Sequence, residues 1–204
     1  MFDIKKIITK ALLAVTFAIG ASAAWAGPTF HVDVDTSQFA DKSGAFFLSF
    51  NGKQNATSAV AKLSNFTGNF GNELLRAGDV SGNLPGALSF RNSQPENSLL
   101  QFAELGGMFG FDITFSGAFE TIPNKFGALF GVALLDLEVG GYHGVQGNLL
   151  EFALMPPGVV TFDNPTGIVT VVRVQVPEPS DLLLVMTGLG LVAFVRRRTN
   201  KAAR

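Results

Sequence analysis

The chain alternates apolar and polar residues in short runs that turn-forming residues separate. Residues 30–35 (FHVDVD) show this most clearly, because every second residue is apolar, as a strand buried on one face requires. Nine further runs are strand candidates: 45–50, 59–66, 87–90, 99–104, 108–116, 128–135, 149–155, 159–162 and 168–174. Turns are expected where Gly, Pro, Asn and Ser cluster, at 51–52, 81–83, 85–86, 157–158 and 164–167.

About ten short strands predict an all-β fold. We expect residues 27–175 to form an antiparallel β-sandwich of jelly-roll type, with a closed barrel as the main alternative. Residues 72–76 are expected to form a helical turn. The order of the strands cannot be derived from the pattern.

The first 26 residues are typical of a secretory signal peptide. Three lysines precede the apolar run 11–19, and the small residues that follow end in Ala24-Trp25-Ala26. Signal peptidase accepts small side chains like Ala24 and Ala26 on either side of a variable residue, so we expect cleavage after Ala26. Residues 21–23 form an alternative site, and a short buried or amphipathic helix is the less favoured interpretation. The chain is therefore expected to leave the cytoplasm through the Sec machinery.

An apolar segment predicts a transmembrane helix at about residues 181–195. The uncharged run 182–195 spans roughly 21 Å as a helix, less than the ~30 Å hydrocarbon core, so the flanks must snorkel and the bilayer must thin. Arg196, Arg197 and Arg198 open the basic cluster 196–204 and should remain cytoplasmic. A buried core helix is the alternative, but three adjacent arginines argue against it. Residues 27–175 are therefore expected on the periplasmic side of the inner membrane.

Pro177, Glu178 and Pro179 directly precede this segment. The tail 176–204 thus combines a Pro-Glu-Pro motif, a short glycine-containing apolar helix and terminal arginines, in a chain with a signal peptide. This combination resembles the PEP-CTERM sorting signal. The resemblance implies processing by exosortase, a membrane transpeptidase-like enzyme, and the two prolines would present the motif in extended form. A permanent single-span anchor with a rigid proline linker is the alternative.

Three internal segments, 31–39, 78–90 and 109–117, are also similar to a small all-β subgroup of PEP-CTERM proteins without an established molecular function. The resemblance implies a Gram-negative bacterium and an inner-membrane-anchored precursor with a periplasmic domain. The mature protein would then reach the cell surface or the extracellular matrix, where the family is associated with exopolysaccharide and biofilm. Expected partners are signal peptidase, exosortase and the inner membrane, with surface polysaccharide as a further candidate.

Charge is distributed unevenly along the chain. The formal net charge is −1, but 8 of the 15 basic residues lie in the two terminal segments. Residues 27–179 hold the other 7 and 14 of the acids, a balance of −7 that disfavours a nucleic-acid partner. Cysteine is absent, which excludes disulfides, thiolate catalysis and cysteine-ligated metals.

Candidate catalytic chemistry is sparse. The sequence contains no G-x-S-x-G, H-E-x-x-H, P-loop or EF-hand motif. His31, Asp33 and Asp35 would share one face of a strand, either as a divalent-metal patch or, as we favour, as a solvent-exposed face, because strand spacing alone supplies no closed ligand set. His143 follows Tyr142 in a glycine-rich loop that would either stack on a sugar or merely connect strands at the surface.

Paired carboxylates are the remaining catalytic possibility, and five acids are candidates for a glycosidase pair: Glu104, Asp112, Glu120, Glu138 and Glu151. Nothing in the sequence brings two of them together. We therefore assign no catalytic residue, metal or cofactor, and expect a non-enzymatic exported protein with a structural or exopolysaccharide-associated role. A carbohydrate-binding or carbohydrate-cleaving module is the alternative, although one Tyr and no Trp between residues 27 and 175 supply few stacking surfaces.

Overall fold

The computed structural model describes residues 27–174 and Gly190. Residues Gly27–Val174 form one compact unit, in which twelve strands and two short 3-10 turns are found. The strands are β1 (Thr29–Asp35), β2 (Ser43–Gly52), β3 (Val60–Thr67), β4 (Phe70–Ala77), β5 (Val80–Gly82), β6 (Leu88–Arg91), β7 (Ser98–Glu104), β8 (Met108–Ser116), β9 (Ala128–Asp136), β10 (Leu150–Met155), β11 (Val159–Asp163) and β12 (Val169–Val174). The 3-10 turns are Ser37–Phe39 and Ala118–Glu120.

The strands form two antiparallel sheets of six. Sheet A has the order β12-β1-β8-β3-β6-β5, and sheet B has the order β11-β10-β9-β2-β7-β4. This confirms the all-β, antiparallel prediction. Each sheet ends in two edge strands, so neither closes into the barrel that was the alternative.

Phenylalanines from both sheets fill the space between them. Phe30 in sheet A lies with its ring centre 5.1 Å from that of Phe152 in sheet B, and Phe90 in sheet A lies 5.6 Å from Phe130 in sheet B. Both pairs belong to one core cluster drawn from the two sheets. Tilted and edge-on ring pairs at these distances add to the stabilisation that burial itself supplies. In a domain without cysteine, this aromatic layer holds the sheets together.

Every one of the ten predicted strands is present, with each end within two residues of its predicted position. The alternation that predicted them also matches the burial pattern. In β1, for example, Phe30, Val32 and Val34 face the core while the residues between them face outward. Local periodicity was therefore a sufficient guide wherever one face of a strand is buried and the other is polar.

The predicted helical turn at residues 72–76 is wrong, because these residues belong to β4. Glu, Leu and Arg favour helices, but that preference is small compared with a ladder of hydrogen bonds to a neighbouring strand. Leu75 pairs with Leu100 of β7 and Arg76 with Leu99, and two register shifts interrupt the ladder. The mostly exposed edge position of β4 removes the alternation that would have revealed a strand.

Two predicted turns are also displaced. Gly52 still pairs with Ala128 at the end of β2, and the chain turns just beyond it, where Asn55 has a φ of 64°. Residues 81–82 belong to the short strand β5, which pairs with β6. The predicted signal-peptide helix at 1–26 and the predicted membrane helix at 181–195 lie outside the described residues, except for Gly190, which is helical. Within the described residues, no helix is long and apolar enough to cross a membrane.

Candidate functional site

Polar side chains cover the outer face of sheet A where β1, β8 and β3 lie side by side. The register places His31 of β1 opposite Asp112 of β8, and Asp112 in turn opposite Ser64 of β3. One row closer to the start of β1, the hydroxyls of Thr29 and Thr114 are 2.9 Å apart. Cross-strand polar pairs of this kind stabilise a sheet and also present its functional groups to solvent.

His31 is held between two carboxylates. Its Nδ1 lies 2.6 Å from Oδ1 of Asp112, and its Nε2 lies 3.3 Å from Oδ1 of Asp33. The hydrogen bond to Asp112 raises the pKa of His31 above its usual value, and the charges of Asp33 and Asp112 act in the same direction while partial burial opposes them. The protonated ring is therefore the favoured form at mildly acidic pH.

A bulge in β3 brings one further residue to Asp112. The register of β3 against β8 shifts between Ser64 and Thr67, and Asn65 within the shift has a φ of 56°. Its Nδ2 donates a hydrogen bond of 2.6 Å to Oδ2 of Asp112. We call His31, Asp33, Asn65 and Asp112 the His31 cluster. Bulges often re-aim a side chain in this way, and here the extra residue engages the second oxygen of the carboxylate.

Gly110 makes room beside the cluster. A side-chain carbon at this position would lie 2.7 Å from Oγ1 of Thr67 and 3.0 Å from Oδ1 of Asp33. The absence of a side chain on β8 therefore lets two polar groups from the neighbouring strands approach each other across it.

The geometry of the cluster favours a held imidazolium over a general base. A base needs one free ring nitrogen and a proton donor within hydrogen-bond reach, whereas both nitrogens of His31 face carboxylates. Within residues 27–174, no group of three or more His, Asp or Glu side chains has an arrangement that could hold a metal ion. The cluster is best suited to pinning β1, β8 and β3 together and to presenting charge and amide groups to a polar ligand.

The predicted face of His31, Asp33 and Asp35 is only partly assembled. Asp35 is directed elsewhere, because its Oδ1 accepts the backbone N–H of Ser37 at 2.9 Å, and hydrogen bonding from Ser37 lowers the pKa of Asp35. The strongest partner of His31, Asp112, comes from β8, and Asn65, which bonds Asp112, comes from β3. Only the register between strands determines them, so no spacing along β1 could have revealed the set.

His143 is buried, in contrast to the surface loop that the glycines around it predicted. Its ring lies 4.9 Å from that of Phe39, its Nδ1 is 3.7 Å from Oδ2 of Asp136, and its Nε2 is 3.4 Å from the carbonyl of Ser43. Tyr142 next to it is exposed. His143 therefore fastens the loop to the end of the sandwich, and Tyr142 is the residue of this loop that a ligand could reach.

The five candidate carboxylates occupy separate environments. Asp112 belongs to the His31 cluster, Glu104 accepts a hydrogen bond from Asn69, and Glu120 accepts one from the backbone of Gly117 at 2.9 Å. Glu138 lies near the backbone of Ser43 and Glu151 near the side chain of Asn148. Each of the five carboxylates thus has a different hydrogen-bond partner, although Glu104 and Glu138 both lie beside Ser43.

A groove that the sequence did not indicate lies at one end of the sandwich. It has a volume of about 850 Å³ and is bordered by residues 52–60 and 91–95. Lys53 and Arg91 supply positive charge, and Gln54, Asn55 and Asn92 supply amides. We call it the end groove. Loops from different strands form it, so only the turn signals near residues 51–52 pointed to this region.

The predicted sorting and processing residues lie outside the described part of the chain. These are Ala24 and Ala26, Pro177, Glu178 and Pro179, and Arg196, Arg197 and Arg198. Their roles stay predictions.

Comparison with known proteins gives no match: no family model, no curated protein and no solved structure is similar to this chain.

Proposed function

We propose that residues 27–175 are the exported cargo of a precursor that the tail 176–204 sorts through the inner membrane. On this proposal, signal peptidase cleaves after Ala26, and an exosortase recognises Pro177, Glu178 and Pro179. One observation carries the proposal. The compact unit runs from Gly27 to Val174, so both processing sites inferred from the sequence fall within a few residues of its limits without interrupting any strand.

Packing at Gly27 supports the position of the first cleavage. Gly27 is buried, and a side-chain carbon there would lie 1.6 Å from the carbonyl oxygen of Phe115. The next residue, Pro28, accepts a hydrogen bond from the backbone of Phe115 at 3.2 Å. Residue 27 therefore belongs to the fold, and cleavage directly before it would leave the domain complete.

Pairing between the first and last strands supports the position of the second cleavage, at residues 177–179. β12 ends at Val174, which pairs with Thr29 of β1. Cleavage at 177–179 would leave this ladder intact. The mature chain would then begin and end on neighbouring strands. Removal of both terminal segments would leave every contact within residues 27–174 in place.

We also propose that the sandwich is a jelly roll. Sheet A contains β1-β8-β3-β6 in succession, and sheet B contains β2-β7-β4. In a jelly roll the first strand likewise pairs with the eighth and the second with the seventh. β5 departs from that plan because it pairs with β6 in sheet A. The strands β9 to β12 extend both sheets on one side.

Mass spectrometry of the mature protein tests the sorting proposal. We expect a mature chain that begins at Gly27 and ends within the motif formed by Pro177, Glu178 and Pro179. The variant Glu178→Ala should accumulate in the inner membrane as a precursor that has lost only the signal peptide. Recovery of the wild-type chain intact to Arg204 would contradict the proposal and would favour the permanent anchor.

We propose a structural role among surface polysaccharides for the mature domain, because the His31 cluster links β1, β8 and β3. A carbohydrate-binding role is the second candidate, and the end groove is the observation that favours it. Its volume is within the ~300–1,000 Å³ of ligand pockets, and its amides and cations match sugar hydroxyls and uronic acids.

A glycan array probed with the mature protein separates these two roles. Reproducible binding that Arg91→Ala abolishes would establish the second role. Arg173→Ala removes an exposed arginine of β12 outside the groove lining and is the matched control. Absence of binding across neutral and acidic glycans would leave the structural role.

A further inference from the structure

Both limits of the domain lie at the same end of the sandwich. Thr29 pairs with Val174 on one side and with Thr114 on the other, and Gly27 packs against the backbone of Phe115. We call this the junction end. The chain therefore enters and leaves the domain side by side.

Exposed apolar and basic side chains meet at the junction end. The apolar ones come from the loop before β9 and from the β10–β11 hairpin, and four of them are 42 to 52% exposed. We define the junction surface as Lys53, Ile122, Lys125, Phe126, Met155 and Val159. Large apolar side chains this exposed on neighbouring loops are characteristic of an interaction surface.

Backbone contacts make these residues one surface. The N–H of Lys53 donates to the carbonyl of Gly127 at 3.3 Å, which places Lys53 beside the loop that carries Phe126. A side-chain carbon on Gly127 would lie 3.1 Å from the sulfur of Met155. Met155 in turn pairs with Val159 across the hairpin. The loop and the hairpin are further joined by a 2.9 Å hydrogen bond from the N–H of Gly158 to the carbonyl of Phe119.

Charge separates the two ends of the domain. Six of the seven cations of residues 27–174 lie at or next to the junction end: Lys53, Lys62, Arg76, Arg91, Lys125 and Arg173. Arg76 is already paired with Glu73. Three acids are also present there, and each already accepts a hydrogen bond: Asp79 from Ser93, Glu96 from Ser98 and Glu120 from Gly117. The opposite end carries Asp35, Asp41, Glu104, Asp136 and Glu138 with only Lys42 to balance them. An anionic surface would therefore repel the opposite end and attract the junction end.

The proposed tail keeps the junction end close to the bilayer. Only residues 175–181 separate Val174 from the apolar run at 182–195. At no more than ~3.6 Å per residue, seven residues reach at most about 25 Å. This step rests on the proposed function, because it requires the tail to be inserted in the membrane.

We propose that the junction surface binds the anionic outer face of the inner membrane while the precursor is anchored. Ile122, Phe126, Met155 and Val159 enter the headgroup region, and Lys53 and Lys125 lie against anionic headgroups. The acidic end then points away from the bilayer. In this orientation both processing sites lie at the membrane surface.

Site-directed labelling tests this orientation, and the absence of cysteine from the chain makes a single introduced cysteine a unique label site. The full chain carrying Phe126→Cys with a fluorophore is reconstituted in vesicles of equal parts phosphatidylcholine and phosphatidylglycerol with a headgroup-proximal lipid quencher. Val139→Cys is the matched control, because Val139 is an exposed apolar residue in the loop after β9, at the acidic end. We expect several-fold stronger quenching at position 126 than at position 139.

A charge variant tests the role of the lysines. Lys53→Glu with Lys125→Glu should weaken the contact that quenching at position 126 reports by roughly 25-fold or more, because each cation near an anionic bilayer favours binding by about fivefold and the two factors multiply. Quenching at position 126 of the unsubstituted lysine form should be similarly weak in vesicles of phosphatidylcholine alone, which carry no net charge. Circular dichroism of the labelled variants should be unchanged, since all the substituted side chains are exposed.

Equal quenching at positions 126 and 139, or quenching at 126 that is independent of lipid charge, would overturn the proposal. Loss of quenching on addition of alginate would assign the surface to an anionic polysaccharide and would overturn it too. Alkaline extraction separates the two proposals. A chain that resists extraction but shows no quenching contradicts the membrane contact alone, whereas a chain that is extracted contradicts the inserted tail.

Discussion

At the scale of single residues, His31 shows how a strand face becomes a defined polar cluster. Its neighbours along the chain supply one weak partner, Asp33, and the adjacent strand β8 supplies the other, Asp112. Asp112 orients the ring through Nδ1, and Asn65 engages the other oxygen of the same carboxylate. The cluster therefore depends on three strands keeping one register.

Replacement of Asp112 by Asn should lower the pKa of His31 toward its usual value, because the largest contribution that raises it is lost. A raised pKa means that the ring stabilises the fold below the unfolded pKa of about 6.5, and that this stabilisation disappears as pH rises through the folded pKa. The difference in unfolding free energy between wild type and variant should therefore be larger near pH 6 than near pH 9. NMR titration of the two histidines measures the shift directly.

The ring resonances of His143 at one fixed pH are the control for an intact fold, since its neighbours Asp136 and Ser43 are untouched. If His31 titrates at the same pH in both proteins, the hydrogen bond to Asp112 does not control its protonation.

Gly27 provides a second test at this scale. Gly27→Ala should destabilise the domain by about 1–3 kcal/mol, because the new carbon would overlap the carbonyl oxygen of Phe115 and the backbone must move. Denaturant unfolding of the mature protein measures the change. Gly167→Ala is the control, since no atom lies within 4 Å of a side-chain carbon there, and it should leave the midpoint unchanged. Equal midpoints for the two variants would show that residue 27 is not packed into the fold.

At the scale of elements, buried polar side chains hold the loops to the strands. Thr36 is fully buried, and its hydroxyl donates to the carbonyl of Gly107 at 2.7 Å and accepts the N–H of Gly106 at 3.0 Å. Asn97 plays the same part at the other end of the sheets. Such groups satisfy backbone atoms that the strand ladders leave without partners.

Asn97→Ala should cost about 2–3 kcal/mol of stability, because it leaves the buried carbonyl of Phe50 and two partly buried backbone groups without this partner. Its amide nitrogen donates to the carbonyls of Phe50 and Gln94 at 2.9 Å, and its oxygen accepts the N–H of Asp79 at 2.9 Å. Thermal unfolding measures the loss. Asn83→Ala, at an exposed asparagine with one weak contact to Leu84, should change the midpoint little. A small effect at position 97 would mean that solvent reaches these groups.

At the scale of the whole molecule, the two sheets have outer faces of different character. The middle of sheet A is polar around His31, whereas sheet B exposes apolar side chains and its outer Ala45 and Ala133 are buried beneath larger neighbours. Phe47, two residues after Ala45 on β2, pairs with Ala133 of β9 on one side and with Leu100 of β7 on the other. The abundance of phenylalanine therefore reflects both a filled core and a partly covered outer layer on sheet B.

Phe130 is one of the phenylalanines whose loss should affect the whole sandwich. Its ring lies 6.1 Å from Phe50, 5.6 Å from Phe90 and 6.2 Å from Phe115, so it contacts both sheets. Phe130→Ala should cost about 3–5 kcal/mol, a large part of the 5–15 kcal/mol of a typical domain. Urea unfolding with near-UV circular dichroism measures it, and Phe126→Ala at an exposed site should have little effect. Comparable losses for the two variants would argue against a shared aromatic core.

The sequence by itself determined the local structure of this protein. Alternation in residues 30–35 and in nine other runs identified ten strands, because burial of one face imposes a period of two wherever it occurs. It also predicted the two terminal segments and the sorting motif, whose roles stay predictions. Side-chain periodicity is a local property, and these are the features that local properties can specify.

Only the tertiary structure decided which strands meet. It made a strand of residues 72–76 by pairing them with β7, placed Asp112 against His31 and Asn65 against Asp112, and brought Gly27 and Val174 to one end. Each of these depends on pairing between segments that are far apart in sequence, and the joint packing of both sheets around the phenylalanine core selects that pairing. No single segment contains that information, so neither the His31 cluster nor the junction surface could be derived from the chain alone.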